Sequence, residues 1–120
     1  MSFLFGPKVA EADVKETAEG LAAEPGAVLI DVREPHEWRA GRARGARHIP
    51  LAQLPNRMAE VPAGPVLVIC GSGYRSAIAA SLLAAAGRDE IAHVVGGMDA
   101  YRSAGLPVIM DTPAVPAEVR

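Results

Sequence analysis

The sequence has a single cysteine, Cys70, and so no internal disulfide. Small secreted domains depend on such cross-links, so their absence fits a reducing compartment and the expected location is cytoplasmic. Net charge is also small, −2 at pH 7. No excess of either sign marks the chain for nucleic acid or a membrane surface. No apolar run approaches transmembrane length. Met1 to Phe5 is apolar but too short for a signal peptide, and Gly6-Pro7 breaks it. The three histidines, His36, His48 and His93, are scattered. No Cys/His cluster therefore has metal-ligand spacing, and no metal is expected. No internal repeat is visible.

What remains is an ordinary globular composition. Of 120 residues, 50% are hydrophobic and 22% charged. That length fits one domain, residues 1–120, with its core over about 8–108 and an extended tail from 109. Strand and helix signals alternate. Lys8 to Ala10 is a short first strand. Asp13 and Glu16 form a capping-box pair, and Val14, Ala18, Leu21 and Ala22 give the following helix one apolar face. Pro25-Gly26 ends it. Ala27 to Val32 is a near-continuous apolar run, as in a strand buried on both faces. Arg33 to Ala40 is a short helix or helical turn with Trp38 packed inward, and Gly41 to Gly45 is a loop. Arg47 to Ile49 is a strand, Leu51 to Met58 a small helix, and Val66 to Ile69 a central strand. Ala77 to Ala86 is rich in helix formers, with Gly87 at its C′ position. Ala92 to Val95 is a last strand, Gly96-Gly97 opens a helix to about Ala104, and Leu106 to Ile109 is extended. The class is α/β: a small, mainly parallel, five-stranded sheet flanked by helices. Sites in such sheets form at the carboxyl ends of strands, where Cys70, Asp31 with Arg33, and Gly96-Gly97 all fall.

Cys70 lies between a strand's carboxyl end and a helix's amino end, in Cys70-Gly71-Ser72-Gly73-Tyr74-Arg75. Helix-start N–H groups lack intrahelical partners, and the helix dipole adds positive potential there. Gly71 and Gly73 allow the amides to turn inward around one point. Arg75 adds a full charge. A thiol in this cradle ionises easily, its pKa falling from about 8.5 into the range of roughly 3.5–7.5. The product is a nucleophilic thiolate in an anion-binding bowl. The plainer alternative is a buried structural cysteine. Packing alone would not need two glycines and an arginine after it.

Three segments together resemble the single-domain rhodaneses, a sulfurtransferase family. Asp31-Val32-Arg33-Glu34, Glu37-Trp38 and Gly41 to Pro50 are similar to its amino-terminal signature. Cys70 to Ser76 resembles its active-site loop. Val95-Gly96-Gly97-Met98, through Tyr101 and Gly105 to Val108, is similar to its carboxy-terminal signature. Arg42 stands where the family often has histidine, and Tyr101 where it often has tryptophan. The resemblance implies a rhodanese-like fold and a ping-pong reaction. The Cys70 thiolate takes the outer sulfur of a small anionic donor such as thiosulfate. The resulting persulfide passes it to an external thiol, cyanide or protein acceptor. No metal or organic cofactor is implied. Gly71, Ser72, Gly73, Tyr74 and Arg75 are the expected substrate-binding residues, mainly through backbone N–H groups. Four residues separate Cys70 from Arg75, where related phosphatase loops have five, so the narrower bowl favours sulfur over phosphoryl transfer. The Cys-Gly-Ser-Gly opening also resembles that of mercaptopyruvate sulfurtransferases. A non-catalytic or protein-to-protein sulfur-carrier module is the alternative, and a small phosphatase or arsenate reductase a more distant one.

Asp31 and Arg33 are expected in support. Asp31 either bonds the loop or pairs with Arg33; Arg33 either lines the mouth or braces a turn. Arg42, Arg44 and Arg47 form a basic cluster that either guides anionic donors or is simply solvated, the latter being favoured. His48 is expected to be structural and Trp38 to be core.

Overall fold

The computed structural model describes residues 9–111. Its frame is a five-stranded parallel sheet in the order β1-β6-β5-β2-β4. The strands are β1 (Ala10–Ala12), β2 (Val28–Asp31), β4 (Arg47–His48), β5 (Val66–Ile69) and β6 (Ile91–Val94). A separate antiparallel pair joins β3 (Arg42–Ala43) to β7 (Val108–Ile109). The helices are α1 (Val14–Ala23), α2 (Pro35–Ala40), α3 (Leu54–Arg57), α4 (Tyr74–Ala85) and α5 (Gly97–Ser103).

Two apolar layers sandwich the sheet. On one face Ile30, Val66, Val68 and Ile91 pack with Leu54 of α3 and with Ala79, Ala80 and Leu83 of α4. On the other, Leu29, Leu67, Ile69, Ala92 and Val94 pack with Val14 of α1 and with Met98 and Tyr101 of α5. All four residues of β5 are buried, as an unbroken apolar run in a central parallel strand requires. From β2 the chain moves out to the edge strand β4 and returns to β5 on the other side of β2. Cys70 therefore leaves the sheet where the winding direction reverses, the usual place for a site in an open α/β sheet.

Several elements follow the sequence closely. Asp13 accepts from the Glu16 amide at 2.7 Å while the Glu16 side chain accepts from the Asp13 amide at 2.9 Å, the expected capping box. Gly87 sits beyond α4 at φ +96°, where a Cβ would be strained. Others differ. The first strand is Ala10–Ala12, two residues later than expected, and Lys8 lies outside the described residues. In α1, Thr17 is buried and Ala22 exposed. The Thr17 hydroxyl donates to the Asp13 carbonyl at 2.8 Å, so it enters the core satisfied. Helix α4 begins at Tyr74 rather than Ala77. Residues 51–60 are not one helix but a short α turn between two 3-10 turns. The expected 41–45 loop contains β3, because β7 supplies a strand for it.

Trp38 is not core. It is half-buried, stacked on His48 with centroids 4.7 Å apart on one side and covered by the Arg42 guanidinium at 4.6 Å on the other. Past β7, Asp111 is tied back by its amide to Arg39 O at 3.2 Å and by its carboxylate to Arg42 at 2.6 Å. The rest of the expected tail, 112–120, lies outside the described residues. Among the described residues no helix is long and apolar enough to cross a membrane.

Candidate active site

The Cys70 side chain is fully buried at the head of the loop that joins β5 to α4. Its Sγ accepts the Gly73 N–H at 3.1 Å and lies 3.5 Å from Ser76 Oγ. Ser76, itself buried, also reaches Gly73 O at 3.1 Å. Its hydroxyl can serve the carbonyl in one orientation and a thiolate in another. Burial pushes the Cys70 thiol up. The Ser76 hydroxyl and the amides of Ser76, Gly73 and Ser72 more than offset this, and its pKa lies below the ordinary value.

The cradle is held open from behind. The first amides of α5 reach across to the loop: Met98 N–H donates to Cys70 O at 2.8 Å and Asp99 N–H to Gly71 O at 3.0 Å. With these carbonyls drawn outward, the following amides face the sulfur. So close an approach needs Gly97. A Cβ there would lie 2.4 Å from Cys70 O and 2.6 Å from Gly71 O. Gly73 takes φ +111°, as the expected turn requires. Gly71 does not take a positive φ. Its use is space, since a Cβ there would come within 3.1 Å of Arg75 Nη2.

Arg75 is turned sideways. It forms a two-pronged pair with Glu37 of α2, at 2.6 and 2.9 Å. That bond, above all, holds the Glu37 carboxyl down at about pKa 2. The pair ties the loop to α2. Asp31 and Arg33 lie together below the surface, Arg33 being 2% exposed. The guanidinium grips both Asp31 oxygens at 2.7–3.1 Å and donates to Gly41 O at 2.7 Å. Asp31 thus pairs with Arg33, and Arg33 braces the 33–41 turn instead of lining a mouth. His48 Nε2 meets Arg33 O at 2.7 Å, a structural contact as expected. Ser72 and Tyr74 point their side chains to solvent, with Tyr74 76% exposed beside the bowl.

The model of the rhodanese-like domain matches residues 13–104, most of the chain and all of this site. The chain belongs to the rhodanese-like family. A sulfurtransferase from Allochromatium vinosum is 32% identical over 102 residues, 84% of this chain and 95% of that protein. A thiosulfate sulfurtransferase, GlpE, from Pseudomonas putida is 36% identical over 90 residues, 73% of this chain and 81% of that one. The chain spans only 53% of an uncharacterised Synechocystis protein to which it is 33% identical over 95 residues. Among solved structures, a rhodanese-related protein from Thermoplasma volcanium superposes with a TM-score of 0.76 at 27% identity, covering 84% of this chain and 98% of that one. These relatives place the chain in a sulfurtransferase family.

Three contributors to this rhodanese-like site were not singled out for their roles in the sequence. Glu37 and Ser76 were visible only as parts of the signatures. Gly97 was visible as half of a glycine pair, but its close approach to Cys70 depends on how α5 docks.

Two outcomes are expected. Gly97→Ala costs more stability than Gly87→Ala. Both positions carry the strain of a left-handed residue, about 1–3 kcal/mol, but only Gly97 also meets the Cys70 and Gly71 carbonyls. Equal losses in denaturant melts would remove the close-approach argument. The Glu37–Arg75 pair also has a pH signature. A carboxyl held at about 2 instead of its ordinary 4.5 contributes stability above about pH 4.5 and loses it as pH falls toward 2. The stability gap between the protein and Glu37→Gln should be flat above that window and close within it. A gap independent of pH would show that the pair contributes nothing as an ion pair.

Proposed function

We propose that the chain transfers a sulfane sulfur from thiosulfate or a similar small anionic donor to a thiophilic acceptor through a Cys70 persulfide. The Cys70 thiolate attacks the donor's outer sulfur. A Cys70–S bond forms, the donor's S–S bond breaks, and sulfite leaves with the electron pair. An external nucleophile, cyanide or a thiol, then attacks the outer sulfur. The persulfide S–S bond breaks and the thiolate returns. Electrons balance within each half-reaction, and neither needs a metal or organic cofactor. Gly71 to Arg75 line the bowl in this reading, with the amides of Ser72, Gly73 and Ser76 stabilising the negative sulfur.

The observation that carries the proposal is the Cys70 sulfur itself, buried yet held by the Gly73 amide and the Ser76 hydroxyl, with its pKa lowered. A packing cysteine has no use for such donors. The short loop weighs against the phosphatase reading: four residues separate Cys70 from Arg75, one fewer than in the related phosphatase loops, which narrows the bowl. The chain has no second cysteine to resolve a persulfide internally, so the sulfur leaves to an outside acceptor.

Intact mass before and after thiosulfate tests this. The expected result is a gain of one sulfur atom, absent in Cys70→Ser, and removed by cyanide as thiocyanate appears. The variant keeps the fold, since the two side chains differ little in volume. Sulfur loading of folded Cys70→Ser would overturn the nucleophile. Failure of the intact protein to load from thiosulfate or mercaptopyruvate would overturn the reaction.

A further inference from the structure

A cleft of about 340 Å³ opens at the amino end of β2, walled by Leu21, Pro25 and Val28 and rimmed by Arg44, Gly45 and Arg47. It lies away from the cysteine. Val28 begins β2, whereas Cys70 follows Ile69, the partner of Asp31 at the other end of that strand. The strand between them spans roughly 10 Å.

The structure divides the basic cluster seen in the sequence. Arg42 pairs with Asp111 and covers Trp38. Arg44 and Arg47 line the cleft. Most other arginines among the described residues are committed. Arg33, Arg57 and Arg75 are ion-paired, and Arg88 and Arg102 donate to backbone carbonyls. Arg44 and Arg47 have neither kind of partner among the described residues. Only Arg39 shares that condition, and it lies outside the cleft. Glu24, at the carboxyl end of α1 beside Pro25, pairs with neither.

Two exposed arginines on one cleft, with no salt-bridge partner among the described residues, favour an oxyanion there over a cation. Their forked donors match carboxylate or phosphate oxygens. The cleft's volume falls in the range of about 300–1,000 Å³ common to small-molecule sites. Leu21, Pro25 and Val28 give it a small apolar wall in an otherwise mostly polar lining.

We propose that this cleft is a second binding site, for a small organic oxyanion. Its charged head lies between Arg44 and Arg47, and its hydrocarbon part lies against Leu21, Pro25 and Val28. The site is independent of the sulfur chemistry, so failure of either reading leaves the other standing.

The test is an NMR titration of the intact protein with octanoate, octyl phosphate and octanol, reading the signals of Leu21, Val28 and Gly45 beside those of Gly73. The expected result is a saturable shift at the cleft with at least one anion. Preference between the anions identifies the head group as carboxylate or phosphate. Octanol should bind about tenfold or more weaker, and the double variant Arg44→Glu/Arg47→Glu should lose about tenfold or more in anion affinity. Unchanged Gly73 signals establish that the variant is folded, since both substitutions are on the exposed rim. No saturable shift at the cleft would overturn the proposal. So would octanol binding as tightly as the anions, or a folded variant binding as tightly as the parent.

Discussion

The site depends on a backbone contact between two elements distant in sequence. The amides of Met98 and Asp99 take the carbonyls of Cys70 and Gly71. That grip fixes the inward turn that Gly73 permits, so the amides after β5 join the Ser76 hydroxyl in opposing the desolvation of the buried sulfur. With it, a dry position becomes an anion-stabilising one. The parallel sheet makes the contact possible. β5 and β6 are neighbours, so the helix that follows β6 starts beside the loop that follows β5.

Charge is arranged around this centre in pairs. Arg75 spends its fork on Glu37, and Arg33 spends its own on Asp31 and Gly41. The second pair is fully buried. Removing one partner of such a pair leaves an uncompensated charge, at a cost of about 3–5 kcal/mol. Both pairs hold turns at the carboxyl edge of the sheet. The sulfur is therefore stabilised chiefly by neutral donors fixed in place, which need little reorganisation when charge develops on it.

The parts of this arrangement that are local in sequence were legible there. Val66 to Ile69, the Asp13–Glu16 capping box, Gly87 and the Cys70-Gly71-Ser72-Gly73 turn each carry their own conformational reason within a few residues. What was illegible is what two distant segments do to each other. From the sequence Arg75 reads either as a donor-binding charge or as a brace for the loop, and its partner Glu37, 38 residues away, is visible only in the fold. The stretch after Gly41 looked like a loop because only β7 makes it a strand. Apolar periodicity favours Ala22 over Thr17 because it does not recognise a hydroxyl satisfied by its own helix. Residue type alone points Trp38 to the core, whereas it is held between a histidine and an arginine near the surface.

The claim at the centre is that Cys70 ionises more easily than an ordinary thiol even though it is buried. Ultraviolet thiolate absorbance against pH, with Cys70→Ser as the blank, reads this directly because the chain has no other cysteine. The account requires a midpoint below the ordinary value of about 8.5. A midpoint at or above it would mean that desolvation outweighs the Ser76 and amide donors. The cradle would then be a packing arrangement around an inert cysteine.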